Sequence, residues 1–413
     1  MIGHMLIKNC GQLVTLAPLA QEKRHTQITK ADLGIIEGAW VAVQHGKILD
    51  LGQNPVPEPF ASWPSIDARG ALVTPGFIDC HTHPVFGGDR THEYALRLQG
   101  ASYQDIAAKG GGIKYSIQKT RAATSHQLLQ RCLSQLWTFI RHGVTTVEVK
   151  SGYGQSVEEE LRLLMVLRTA AKASPQSVVV TCLALHDGPA LIQDKQAFIH
   201  KMTEELLPQL AETGLADWVD AFVEDGYFSV AEVEGFIRKA KVLGLPIRVH
   251  ADEFQDSGAA FAAARWGAAS ADHLQQASDS GIKAMAEAGT VAVLLPGTSF
   301  YTKIPYAKAA RFRDANCVIA VASDFNPGSC AIGNLPFAAC LGALYCGLTA
   351  AEGLVAVTWN AARALRLEHR KGALVPGFDA DILVHRLETV DQWIANFGQA
   401  QPKEVMIGGL RLT

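Results

Sequence analysis

His81 and His83 stand one residue apart at the end of an apolar run that includes Leu72, Val73, Phe77 and Ile78. In a strand, alternate side chains share a face, so both imidazoles project together from the end of this segment. Two neutral imidazoles converging from one strand are half a metal site. The pair becomes meaningful only if the chain brings further ligands to the same edge of the same fold.

The ends of later apolar runs supply them. Tyr153 lies just past the run at 144–149, and His186 closes the run at 178–185. Glu224 ends 218–223, His250 follows 247–249, His273 lies in 270–274, and Asp324 follows 318–322. Five of the 14 histidines therefore fall at run ends. Singly, each is better read as a satisfied core or surface histidine. Jointly they read as a site. His81, His83 and His250 with Asp324 suit one Zn²⁺ or Fe²⁺ with a position left for water. Glu253, three residues after His250, is placed to hold that water and take its proton. The bland reading of Glu253 is an acid at a helix start. Asp252 points elsewhere, and Glu224 reads as structural rather than as a ligand of a second metal.

These residues need a scaffold with eight strand ends on one side. From 144 onward, apolar runs alternate with helical stretches such as 157–173, 196–212 and 230–243. With the run before His81 there are eight, the pattern of a (β/α)₈ barrel, whose chemistry gathers at the C-terminal ends of its strands. A doubly wound sheet is the rival topology. Residues 6–72 and the stretch from 372 alternate as short strands, so each end is too small to bury its face alone and the two should share a sheet. The expected division is 1–72 and 367–413 for this small β-sandwich and 73–366 for the barrel. The insertion at 84–125, with Gly110, Gly111 and Gly112, reads as a long functional loop.

Composition sets the bounds. A hydrophobic content of 48% describes a globular chain with a large core, and the net charge of −3 with no basic block excludes nucleic acid and anionic membranes as partners. The eight cysteines form no CxxC pair, which points to reduced thiols in a cytoplasmic enzyme. The uncharged stretch 331–351 approaches membrane-spanning length, but it holds Asn334 and Pro336 inside a strand–helix alternation and reads as a buried helix.

Several longer stretches carry a resemblance. They are Pro75 to Arg90, Arg97 to Tyr103, Gly110 to Ile113, Val149 to Gly154, His250 to Glu253 and Ser323 to Ser329. Together they resemble the amidohydrolase superfamily and, within it, the imidazolonepropionase family of histidine degradation, over nearly the whole chain. The resemblance implies a hydrolase that opens the cyclic amide of 4-imidazolone-5-propanoate to N-formimidoyl-L-glutamate. Carried over residue by residue, it places metal ligands at His81, His83, His250 and Asp324 and catalytic roles at Glu253, His273 and Asp324. Substrate contacts fall on Arg90, Tyr103, Tyr153, His186, Asn326, Gly328 and Ser329. Arg90 suits a substrate carboxylate because its planar fork matches two oxygens. A homodimer is also implied. The chain departs from the family around His186, where Ala184-Leu-His-Asp-Gly-Pro189 replaces an Ala-His-Ala-x-Pro pattern. No lysine ends the fourth strand, which argues against a carbamylated two-metal site. The alternatives are a deaminase of heterocyclic bases on the same scaffold, which has no need of Arg90, and a scaffold that has lost its chemistry, which has no need of Glu253 or four ligands.

Overall fold

A computed structural model describes residues 3–21, 27–101, 106, 111–187 and 194–412. The N-terminal strands are β1 (His4–Val14), β2 (Ile35–Gln44), β3 (Lys47–Gln53), β4 (Ser65–Asp67) and β5 (Val73–Pro75). The barrel strands are β6 (Phe77–Asp79), β7 (Val144–Lys150), β8 (Ser177–Leu185), β9 (Trp218–Val223), β10 (Val249–Ala251), β11 (Ser270–His273), β12 (Val291–Leu294) and β13 (Ile319–Val321). The C-terminal strands are β14 (Ile382–Val384), β15 (Glu404–Ile407) and β16 (Leu410–Arg411).

Strands β6 to β13 pair in sequence order, every pair parallel. The ring closes where the His81 segment meets the end of β13: His83 N–H donates to Phe325 O at 2.8 Å and Asp324 N–H to His81 O at 3.0 Å. Three of the residues that could hold a metal, His81, His83 and Asp324, thus also take part in closing the barrel. As expected, the two chain ends share one mixed sheet, in the order β16-β15-β14-β5-β1-β2-β3 with β4 beside β1.

Local chemistry explains the crossovers. The helix Val157–Ala173 buries Leu163, Leu164, Leu167 and Ala170 at helical spacing, and Ser156 caps it by accepting from Glu159 N–H. Thr124 and Ser229 form capping boxes with Gln127 and Glu232. The insertion after β6 is not one long loop; it carries the helices Thr91–Leu98 and Ile113–Ala122. In the 331–351 stretch, a helix over Leu335–Leu341 is capped by Asn334 and continues as a wider turn, Gly342–Cys346, with Leu344 and Tyr345 exposed. It is therefore shorter and wetter than a buried helix. Among the described residues no helix is long and apolar enough to cross a membrane. All eight cysteines are free and buried.

The barrel interior is layered. Its lower part is apolar, with Ile78, Val179, Trp218, Val293 and Ala320, as such barrels usually are throughout. The layer above is not: Glu148, Lys150, Asp220, Arg248 and Asp272 are all fully buried there.

Candidate active site

The strand ends deliver the histidines as an array. His81 Nε2 lies 3.2 Å from His83 Nε2, and each lies 3.4 Å from Asp324 Oδ1. Donors each about 2.1 Å from a tetrahedral ion stand ~3.4 Å apart, so these three face a common point at ligand spacing. His250 falls within the same small cluster as His81 and His83. Its Nε2 is buried and has no hydrogen-bond partner among the described residues, an orphan that a cation would satisfy.

The tautomers suit that use. His81 Nδ1 hydrogen-bonds Asp272 Oδ2 at 2.7 Å, which directs its Nε2 lone pair toward the cluster, and Asp220 Oδ2 faces His250 Nδ1 at 3.0 Å. Asp324 is oriented by Thr298, whose hydroxyl donates to Oδ2 and leaves Oδ1 for the histidines. Burial pushes His83 and His250 below the ordinary imidazole range, so both imidazoles are neutral at neutral pH. At His81, burial and Lys150 push down but Asp272 and Asp324 prevail and raise it. Burial would raise Asp324, yet His81 and His83 hold it well below the usual carboxylate range. The donor set fits a divalent metal.

Glu253 and His273 sit at the rim of this cluster. Burial, reinforced by the carboxylates of Asp324 and Glu224, lifts Glu253 well above the usual glutamate range. Its Oε2 lies 3.7 Å from His273 Nδ1. Burial lowers His273 to about 4, so it is neutral. His273 also forms a second potential ligand triplet with His81 and Asp324. Asp252, His273 and Asp324 all have positive φ, at 52°, 83° and 52°. Such conformations are uncommon outside glycine and cluster where side chains must be aimed. Asp252 itself caps the turn beyond the strand, accepting from Ser257, Ala259 and Ala260 N–H, so it is not aimed at the cluster. Glu224 accepts from Phe254 N–H and Asp225 N–H, steadying the segment that carries Glu253.

The other expected residues line the same cavity, with Tyr153 and His186 packed beside His83. Tyr153, His186, Asn326, Ser329 and Arg90 line it with His83, His250, Glu253, His273 and Asp324. Arg90 is nearly buried and doubly paired with Glu93, its Nε and Nη2 each 2.8 Å from Oε2. Gly328 shapes this part of the cavity by having no side chain, since a Cβ there would overlap the Arg90 guanidinium. His186 approaches Gly152 O at 3.2 Å, and a Cβ on Gly152, whose φ is +118°, would crowd its ring. Asn326 is used by its own loop: Oδ1 accepts from Gly328 and Ser329 N–H while Nδ2 donates to Asp324 O. Tyr103 lies outside the described residues.

Sequence reasoning missed the supports: Asp220, Asp272 and Thr298 behind the cluster, Glu93 behind Arg90, and Glu160. The Glu160 carboxylate accepts from Gly152, Gly154 and Gln155 N–H and so fixes the Tyr153 turn. A readable signal existed for some. Strands buried on both faces are expected to run continuously apolar, and Glu148, Lys150, Asp220 and Asp272 interrupt that pattern.

Comparison with known proteins gives the family and the fold. The amidohydrolase family matches residues 72–412. An imidazolonepropionase from Symbiobacterium thermophilum is 43% identical over 396 residues, covering 94% of this chain and 92% of its own. One from a Geobacillus species is 40% identical over 416 residues, with 98% and 97% covered. Among solved structures, an atrazine chlorohydrolase from Arthrobacter aurescens complexed with zinc has a TM-score of 0.75 at 16% identity, covering 99% of this chain and 95% of that one. A 5-methylcytosine deaminase from Klebsiella pneumoniae also gives 0.75, at 19% identity, with 99% and 97% covered. These two share the fold; the family is fixed by the sequence relatives. The chain belongs to the amidohydrolase family, and within it to the imidazolonepropionases.

Proposed function

We propose that the chain hydrolyses 4-imidazolone-5-propanoate to N-formimidoyl-L-glutamate in histidine degradation. The observation that carries this reading is one cavity lined by both a metal-type donor cluster and a buried arginine. His81, His83, His250 and Asp324 would hold one Zn²⁺ or Fe²⁺. When bound, that ion supplies Lewis acidity that makes water a better acid and the ring carbonyl a better electrophile.

The chain's own groups do the rest. Arg90, held in place by Glu93, receives the propanoate carboxylate and sets the ring against the cluster. Glu253 takes a proton from the attacking water as its oxygen adds to the ring carbonyl carbon. His273, neutral, donates a hydrogen bond to the oxygen on which charge develops. Glu253 then passes its proton to the ring nitrogen as the carbon–nitrogen bond breaks. Tyr153 and His186 pack over the ring and exclude bulk water. A deaminase acting on a neutral base would have no use for Arg90 in this cavity.

The test is to follow the ultraviolet absorbance of imidazolonepropionate on adding the protein. We expect loss of substrate that a chelator abolishes and Zn²⁺ or Fe²⁺ restores. Absence of turnover in metal-replete protein sinks the reading. The homodimer implied by the family is checked by sedimentation velocity.

A further inference from the structure

Beneath the cluster lies the charged layer, and its centre is Lys150. The Lys150 ammonium is 2.7 Å from Glu148 Oε1, 2.9 Å from Asp220 Oδ2 and 3.9 Å from Asp272 Oδ2. The other cation, Arg248, is 3.2 Å from Asp272 Oδ2 and donates to Cys80 O at 2.7 Å. Three carboxylates against two cations leave the layer with one excess negative charge. All five side chains are fully buried. An apolar layer of the same volume would be at least as stable, because desolvating ions costs more than their pairing usually returns. Stability alone does not account for these charges.

Their arrangement does. Asp220 and Asp272 are the two carboxylates that face the Nδ1 atoms of His250 and His81. Lys150 is the cation shared between them, and it brings in Glu148, which touches no histidine but receives Thr82 N–H at 3.3 Å, between His81 and His83. We infer that Lys150 is a positioning residue for the metal site: it offsets the negative charge that Glu148 and Asp220 bring into the barrel and so lets Asp220 stay aimed at His250. Without it, mutual repulsion among three buried carboxylates turns Asp220 off the imidazole, and the ligand loses its orientation. Lys150 touches neither substrate nor ion.

This rests on the metal reading above, and the experiment separates the two. Zn²⁺ affinity is measured on the full chain by competition with a chromophoric chelator. Parent protein that takes up no Zn²⁺ means that the metal reading is wrong. If the parent binds, Lys150→Met should weaken Zn²⁺ by about 10- to 100-fold, the usual scale for partners behind a ligand. The decisive variant is Lys150→Met/Glu148→Gln, which removes one charge of each sign and restores the excess to one. Its affinity should return to within about threefold of the parent, and its Co²⁺-substituted visible spectrum should match the parent's. A mere packing role for Lys150 predicts no such rescue. A Lys150→Met protein that binds Zn²⁺ like the parent, or a double variant no better than the single, overturns the proposal. Should the single variant not fold, a folded double variant decides alone: parent-like affinity supports the proposal, and a loss of tenfold or more overturns it.

Discussion

The two walls of the cavity are built differently. On the metal side, each donor sits at or just beyond a barrel strand; Asp272 and Asp220, on other strands, face His81 and His250, and the Thr298 hydroxyl, in the helix after β12, donates to Asp324. On the substrate side, Arg90 begins a helix of the insertion, His186 lies in the stretch after β8, and Asn326 to Ser329 form a loop. There two of the holding contacts are local, Glu93 on Arg90 and Asn326 on its own turn, while Gly152, in the loop after the neighbouring strand, meets His186. Rigid neighbouring strands serve the chemistry and loops serve recognition. Errors on the first wall should cost turnover, and errors on the second should cost binding.

Glu253→Gln tests the first wall most severely. It keeps size and hydrogen bonding but removes the base for both proton transfers, so kcat should fall by roughly 10² to 10⁴. Metal content should not change. A variant that keeps most of its kcat moves the base elsewhere, and loss of metal makes Glu253 a ligand. Arg90→Met probes the second wall. Losing one charge-assisted pair is worth about 1.5–3 kcal/mol, roughly 10- to 150-fold in kcat/KM, carried mainly by KM. Because the change also strands the buried Glu93 carboxylate, Arg90→Met/Glu93→Gln should recover thermal stability without recovering KM. An effect confined to kcat would erase the contrast between the walls.

Acidity gives a smaller and more diagnostic effect. Burial and the neighbouring carboxylates raise Glu253 in the folded chain. A base must be ionised, so kcat/KM should fall as pH drops through that raised value, at a pH above the ordinary glutamate range of about 4.3. The limb should vanish in Glu253→Gln. Its persistence would assign it to another group. The smallest expected change is in metal content on His273→Asn. We expect an unchanged ion-to-chain ratio with reduced turnover, whereas loss of the ion makes the His81–His273–Asp324 triplet the true ligand set.

The same contrast explains what could be read from the sequence. Alternation of apolar runs and helical stretches exposed the barrel because periodicity reports strands and helices directly. Histidines at run ends exposed the donor cluster because a barrel turns run ends into neighbours. Glu93 and Glu160 were illegible: each acts on backbone or side chains a few residues away through a turn whose shape no periodicity encodes. Asp220 and Asp272 were legible only as interruptions in buried strands, and their partners come from other strands. The insertion read as a loop because its helices, Thr91–Leu98 and Ile113–Ala122, are short and rich in polar residues.

β5 and β6 are separated by Gly76 alone, and a Cβ there would lie 2.2 Å from Thr145 Oγ1. One length of chain thus serves the terminal sheet and then the barrel, arriving five residues later at His81. Its partners are far apart in time. β5 pairs with β1 at Leu13 and with β14 at Val384, and Thr74 meets His385 across 311 residues. A ribosome adding about 5–20 residues per second needs roughly 15–60 s to make that last partner. Throughout that interval the emerging chain carries an open strand edge directly upstream of its histidines. The pairing of β5 with β14 therefore ties the strand directly upstream of His81 to a segment made some three hundred residues later.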